Sequence, residues 1–273
     1  MKKHLSTILL VVVLLAGLSL VLYPSVAAYV NSRNQSRAIV DYNRAVQDMT
    51  GEDYTHMWQE AREFNAMLAQ HPNRFMMEQE QLDWYQTLMD ASGLGIIGYI
   101  EIPLQNLKLP IYHGTDEAVL QIAVGHVEGS SLPTGDVGTH CVLSGHRGLP
   151  SAKLFTNLDE VVEGDTFLLH VLDEVFTYQV DQILTVLPHE VEALEIDPEQ
   201  DYCTLVTCTP YGINTHRLLV RGHRIETVVE EVKTAVAVSS NAQQISFPLV
   251  AAAVGVPLLL IALIGMAIFT RKR

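Results

Sequence analysis

The sequence predicts a mainly β fold: an eight-stranded, closed or nearly closed barrel, preceded by a helical arm, with a transmembrane helix at each end. Three observations carry this. The apolar excess is concentrated in two uncharged runs near the ends of the chain. Between Gly98 and Ile225 about eight short β-branched or aromatic segments alternate with turn residues, the pattern of a sandwich or barrel. Between these strands and the first apolar run the spacing is helical.

The first run, Leu5 to Val30, holds no charged side chain and follows Lys2 and Lys3. It exceeds the ~20 residues that span a bilayer and is longer than a signal-peptide core of roughly 7–15 residues. It is therefore expected to remain as a signal-anchor, although Ser25-Val-Ala-Ala28 offers small residues that a signal peptidase could use. From Asn34 to about Leu68 apolar residues such as Tyr54, Met57, Trp58, Ala61 and Leu68 recur at helical steps, with a break expected at Gly51. Gln70-His-Pro-Asn-Arg-Phe75 reads as a loop, and Gln79 to Met89 as a further helix.

The expected strands are Gly98–Pro103, Leu107–Tyr112, Thr139–Ser144, Thr166–Val171, Val175–Val180, Gln182–Leu187, Cys203–Cys208 and Arg217–Ile225. Val228 to Gln244 is a spacer leading to the second apolar run, Phe247 to Phe269, which ends in Thr270 and the basic tail Arg271-Lys-Arg273. Both runs carry positive charge on the terminal side, so both termini are expected in the cytoplasm and the domain between them outside the cell. The expected organisation is an anchor over 1–30, an arm over 31–95, a barrel domain over 96–227, a spacer over 228–245 and a second membrane helix with its tail over 246–273.

Composition narrows the function. Seventeen Lys and Arg against 31 Asp and Glu give a net charge of −14. The pI near 5.1 excludes a broadly basic nucleic-acid binder. At 48% hydrophobic residues the chain is too apolar to be disordered. Three cysteines make no disulfide framework but leave room for one reactive thiol.

The region richest in chemistry is Tyr202-Cys-Thr-Leu-Val-Thr-Cys-Thr-Pro-Tyr-Gly-Ile-Asn-Thr-His-Arg217. Cys208 ends a strand, Thr209 to His216 form a loop, and Arg217 opens the next strand. If the two strands pair antiparallel, thiol and guanidinium stand on neighbouring strands ~4.8 Å apart. There a permanently charged guanidinium can stabilise a thiolate and an oxyanion. An imidazole has to come from elsewhere. His146, just past a strand end in Leu143-Ser-Gly-His-Arg-Gly148, is preferred, with His113 as its rival. The structural alternatives are a core cysteine and a solvated arginine. Zinc held by Cys203, Cys208, His216 and His223 is disfavoured, because separations of five and seven along a strand point to opposite faces. No metal and no cofactor are expected. Cys141 and Cys203 read as core thiols.

Two blocks resemble the class C, pilin-polymerising sortases. Thr204-Leu-Val-Thr-Cys-Thr-Pro-Tyr-Gly-Ile-Asn-Thr-His-Arg-Leu-Leu-Val-Arg-Gly222 is similar to their active-site block. Thr139-His-Cys-Val-Leu-Ser-Gly-His-Arg-Gly-Leu-Pro150 is similar to their histidine block. Gly98-Tyr-Ile-Glu-Ile-Pro103 and Leu109-Pro-Ile-Tyr-His-Gly114 resemble their first two barrel strands, and the likeness extends over about Leu68 to Glu226.

The resemblance implies a sortase-type barrel with Cys208 as nucleophile, His146 as proton donor and acceptor, and Arg217 as stabiliser of the oxyanion and substrate. It also implies attack on the Thr–Gly bond of an LPxTG-like sorting signal, a thioacyl-enzyme, and transfer to a lysine amine of a pilin subunit. The alternatives are a housekeeping sortase that anchors surface proteins to the cell wall, and a non-enzymatic extracellular binding module. One departure stands out. Many class C members carry an Asp-Pro-aromatic lid in the arm, whereas the Asp-Pro pair here is Asp197-Pro198, within the barrel. The arm offers Arg74 and Phe75 instead, with Phe75 able to cover the thiol and Arg74 expected to repel Arg217.

Overall fold

The computed structural model describes residues 2–71 and 73–227. The expected spacer and second membrane run lie outside the described residues.

Helix α1, Lys2–Gln47, is continuous: the first apolar run and the start of the arm are one helix, where the sequence suggested separate pieces. Within Val11–Gln47 its most apolar 18-residue window is 0% buried against the rest of the protein. Its later turns pack on the barrel, where the Tyr42 hydroxyl donates to Ile97 O at 2.9 Å and accepts from Leu172 N at 2.7 Å. Helix α2, Gly51–Gln70, starts at a capping box in which Thr50 and Asp53 satisfy each other's backbone N–H groups. One face of α2 buries Trp58, Ala61, Phe64, Asn65 and Leu68. Helix α3, Gln79–Tyr85, is shorter than expected and buries Tyr85.

Strands β1 (Ile96–Ile102) and β2 (Leu107–His113) precede a four-residue helix, α4 (Glu117–Leu120). The remaining strands are β3 (Val124–His126), β4 (Thr139–Ser144), β5 (Thr166–Val171), β6 (Glu174–Val186), β7 (Asp201–Thr209) and β8 (His216–Ile225). They close into a barrel in the order β1-β2-β3-β4-β7-β8-β6-β5. Most neighbours are antiparallel; β2–β3 and β4–β7 are parallel. The expected count of eight is met by a different set. The two segments over Val175–Leu187 form one strand, β6, whose register shifts between Val180 and Gln182. Asp181, which lies between the two expected segments, is the bulge residue. β3 was not foreseen.

A single apolar core fills the barrel and runs out under the arm, joining Cys141, Leu143, Cys203, Leu205, Leu218, Val220, Phe167 and Tyr178 to Phe64, Leu68 and Tyr85. A second, smaller cluster sits on the outer face of β4, β7 and β8: Val142, Leu219 and Leu194, with Phe75, Val206, Leu184 and Val186 packed against it. This outer patch is the floor on which the site is built.

Candidate active site

Side-chain alternation sorts the site. On β7 Cys203, Leu205 and Thr207 are buried, whereas Val206 and Cys208 are only half-buried. On β8 Leu218 and Val220 belong to the interior, and Arg217 and Leu219 to the outer face. Cys208 and Arg217 are direct antiparallel partners. On the other side of β7, β4 runs parallel, with Ser144 opposite Val206. The chain holds that course past the end of β4. Gly145 N donates to Val206 O at 3.0 Å, and the Thr207 hydroxyl donates to Gly145 O at 2.7 Å. His146 follows at the position that carries the register on to Cys208. The backbone register of three neighbouring segments, ~4.8 Å apart, thus aligns His146, Cys208 and Arg217 side by side, with Cys208 in the middle. A cysteine and an arginine nine residues apart and a histidine from another strand line up because β4 and β7, distant in sequence, are neighbours in the barrel.

Local features hold each group. Gly145 is needed because a Cβ there would come within 2.6 Å of the Phe155 ring. His146 O accepts from Phe155 N at 3.1 Å, fixing the loop. The His146 side chain is 28% exposed, and its Nε2 lies 3.8 Å from a carboxylate oxygen of Glu117 at the start of α4. The Arg217 guanidinium donates to Asn214 O in the β7–β8 turn at 3.3 Å and to His216 O at the start of β8 at 3.1 Å. That turn contains a cis Thr209–Pro210 peptide. Arg147 pairs with Asp159, lies near Thr209 Oγ1 at 3.4 Å, and stacks over the exposed Tyr211 ring at 5.8 Å. The β4 and β7–β8 loops therefore touch beside the site.

The rival histidine is excluded by position. His113 is buried at the end of β2, with its ring nitrogens on Gly95 O and Leu88 O, and burial holds its pKa below the ordinary imidazole value. Cys141 and Cys203 face each other across β4 and β7 inside the barrel, both fully buried. Arg74 does not take the expected place against Arg217. It is buried, donating to Gly129 O and Leu194 O, with its guanidinium 4.3 Å from the Phe75 ring centre. Its burial, not repulsion from the site, sets its position. Phe75 packs into the outer cluster with Val206 and Leu219, each two residues from a site residue on the same face. Glu117 is the site residue that sequence reading missed; it lies 29 positions from His146 with no motif between them.

A sortase domain model matches residues 100–225, which contain all three groups. Sortase C1 of Streptococcus agalactiae is 48% identical, with a TM-score of 0.68, over 70% of this chain and 100% of that one. The chain belongs to the sortase family. Sortases are cysteine transpeptidases. A sortase C of Streptococcus pneumoniae is 43% identical at a TM-score of 0.62, over 70% of this chain and 97% of its own. Both solved structures are class C sortases, and this sortase groups with them. Sortase D of Bacillus subtilis is 32% identical over 131 residues, 47% of this chain and 63% of that protein. The match therefore spans somewhat less than two thirds of that relative.

Proposed function

We propose that this sortase is a membrane-anchored transpeptidase that assembles pilin subunits. It cleaves an LPxTG-like sorting signal between Thr and Gly and joins the new carboxyl end to a lysine amine. The observation that carries the reading is the backbone register that sets Cys208 between His146 and Arg217 on three neighbouring segments.

The chemistry follows from that placement. The Cys208 thiolate attacks the Thr carbonyl carbon, and the carbonyl oxygen takes up the electron pair. Arg217, anchored by two backbone carbonyls, stabilises that oxyanion and orients the substrate backbone. The C–N bond breaks as His146 gives its proton to the departing glycine amine, leaving a thioester on Cys208. A neutral lysine amine then attacks the thioester carbonyl, passes a proton to His146, and expels the thiolate. The product is an isopeptide bond, and the enzyme returns to its starting protonation. No cofactor enters these steps.

The class C likeness favours pilin as substrate, and the Streptococcus pneumoniae structure is itself described in terms of pilin substrate specificity. The exposed apolar window of α1 within Val11–Gln47 supports anchoring, with a mean hydropathy of 2.2. The second apolar run and the basic ends support a topology with both termini inside and the barrel outside. Arg74 and Phe75 belong to a segment that closes over the groove floor, and this segment serves as a lid in place of the Asp-Pro-aromatic one.

The test is incubation of the full chain with a pilin carrying the sorting signal and an acceptor lysine. A ladder of covalent oligomers, with a thioester on Cys208 trapped by mass spectrometry, is the expected result. Cleaved monomer alone or a wall-precursor conjugate identifies a housekeeping or hydrolytic sortase. No turnover and no selective labelling of Cys208 by a thiol probe would reduce the barrel to a binding module.

A further inference from the structure

Residues 1–40 and residues 137–158 of this acidic chain hold no carboxylate. Far apart in sequence, they meet in space. Asn31 Nδ2 donates to Ser151 O at 3.0 Å, and one turn along α1 Gln35 Nε2 donates to Ile122 O at 2.6 Å. Because α1 runs unbroken from the apolar run to the barrel, residue number along it measures height above the bilayer, about 1.5 Å per residue. About 20 residues fill the hydrocarbon core. Whichever twenty of Leu5 to Val30 do so, Asn31 falls within about 10 Å of the hydrocarbon edge, at the level of the headgroups. Tyr23 and Tyr29, 64% and 62% exposed, mark that boundary as interfacial aromatics do.

The charge at this level is positive although the whole chain carries −14. Arg33 and Arg37 extend from α1, and Lys153 is exposed next to Ser151. Of the bordering acids, Asp41 is opposed by Arg44 and Asp159 by Arg147, while Glu117 lies 3.8 Å from the His146 ring. Asp116, exposed beside Glu117, weakens the field without reversing it.

We propose that Arg33, Arg37 and the loop around Ser151 and Lys153 form a docking face for the anionic phosphate headgroups of the membrane that α1 enters. This rests on the anchoring reading above and adds to it a fixed seat. The barrel is held down on the lipid surface by the same loop that, five residues earlier, carries His146. The edge of the site then sits within one loop of the bilayer, in reach of a peptide tethered to the same membrane.

The test uses the full chain in a Cys208→Ala background, where the remaining thiols are buried. A fluorophore is placed at Ser151→Cys or at Glu174→Cys. Glu174 starts β6, beside the contact of Tyr42, which stands about 16 Å higher on α1 than Asn31. The protein is put into vesicles of phosphatidylcholine alone or with phosphatidylglycerol, each doped with a headgroup-nitroxide lipid. In all vesicles the protein should float with the lipid. Quenching at Ser151→Cys should exceed that at Glu174→Cys at least twofold. It should rise with phosphatidylglycerol and fall back at high salt or in an Arg33→Glu, Arg37→Glu, Lys153→Glu variant. Equal quenching at the two positions, or no response to phosphatidylglycerol, overturns the docking face while anchoring stands. A chain that does not float overturns the anchoring reading, and the docking face with it.

Discussion

At the scale of single residues, the site separates chemistry from packing. Cys208 is half-buried at the edge of an outer face, so its sulfur adds little to the core. Cys208→Ala should abolish thioester formation and turnover while moving Tm by no more than about 2 °C, read by scanning fluorimetry beside an activity assay. Arg217 reaches two carbonyls through Nη1, and the planar guanidinium carries further N–H donors in a fixed fork that an ammonium cannot copy. Arg217→Lys should lose about 100-fold or more in kcat/KM at near-parental stability; near-parental kcat/KM would remove the oxyanion role.

Two buried groups away from the site tie stability to pH in opposite senses. Burial raises Asp201 from 3.8 to about 6, against the hydroxyl of Tyr178, which donates to it at 3.0 Å. A carboxyl raised on folding gives stability that is complete below pH 3.8 and lost as pH rises through 6. Asp201→Asn keeps an acceptor for Tyr178 and removes the charge. It should gain of order 2 kcal/mol at pH 7.5, a few degrees in Tm, with the gain shrinking towards pH 4. His140 behaves inversely. Burial lowers it from 6.5 to about 4, so its share of stability is present above pH 6.5 and lost as pH falls through 4. In the parent the two trends offset each other between those limits, so the variant exposes a slope that the parent hides.

At the scale of elements, α1 joins the apolar run to the barrel and acts as a strut. Tyr42 joins it to β1 and to the β5–β6 turn through one buried hydroxyl that donates once and accepts once. Tyr42→Phe leaves the Leu172 N–H and the Ile97 carbonyl unpaired at the seam. The expected cost is about 2 kcal/mol, with hydrogen exchange accelerating first at Leu172. Here the limits of sequence reading are physical. The strands β4 and β5 were legible to the residue, because uninterrupted β-branched and apolar runs end at turn residues. β6 was divided in two because Asp181, a charged residue inside an apolar run, looks locally like a turn. In the barrel it occupies a bulge and pairs with Arg221. β3 has only three residues and no alternation of its own; its parallel pairing with β2 defines it as a strand.

At the scale of the whole molecule, the arm and the barrel share one core, so the loop between α2 and α3 is held against the outer face beside the site. Arg74 pins that loop to the carbonyls of Gly129 and Leu194. A Cβ on Gly129 would meet Arg74 O at 2.2 Å, so this approach requires glycine. Arg74→Ala should cost about 2 kcal/mol. If Phe75 screens the groove, Cys208 should also be alkylated several-fold faster in this variant than in the parent. An unchanged alkylation rate in a folded variant means that the loop only packs.

The sequence by itself determined the strand-rich middle, the apolar ends and the identity of the thiol, the guanidinium and the preferred imidazole. These are written in local periodicity and in the spacing of one strand–turn–strand unit. Only the tertiary structure decided that the chain leading to His146 runs alongside β7 towards Cys208, while His113 is buried at the end of β2. It also decided that Glu117 faces His146, and that Arg74 turns into the protein instead of towards Arg217. Each of these depends on strand order around a closed barrel and on which face an arm covers. Such contacts join residues tens of positions apart, and no local pattern records them.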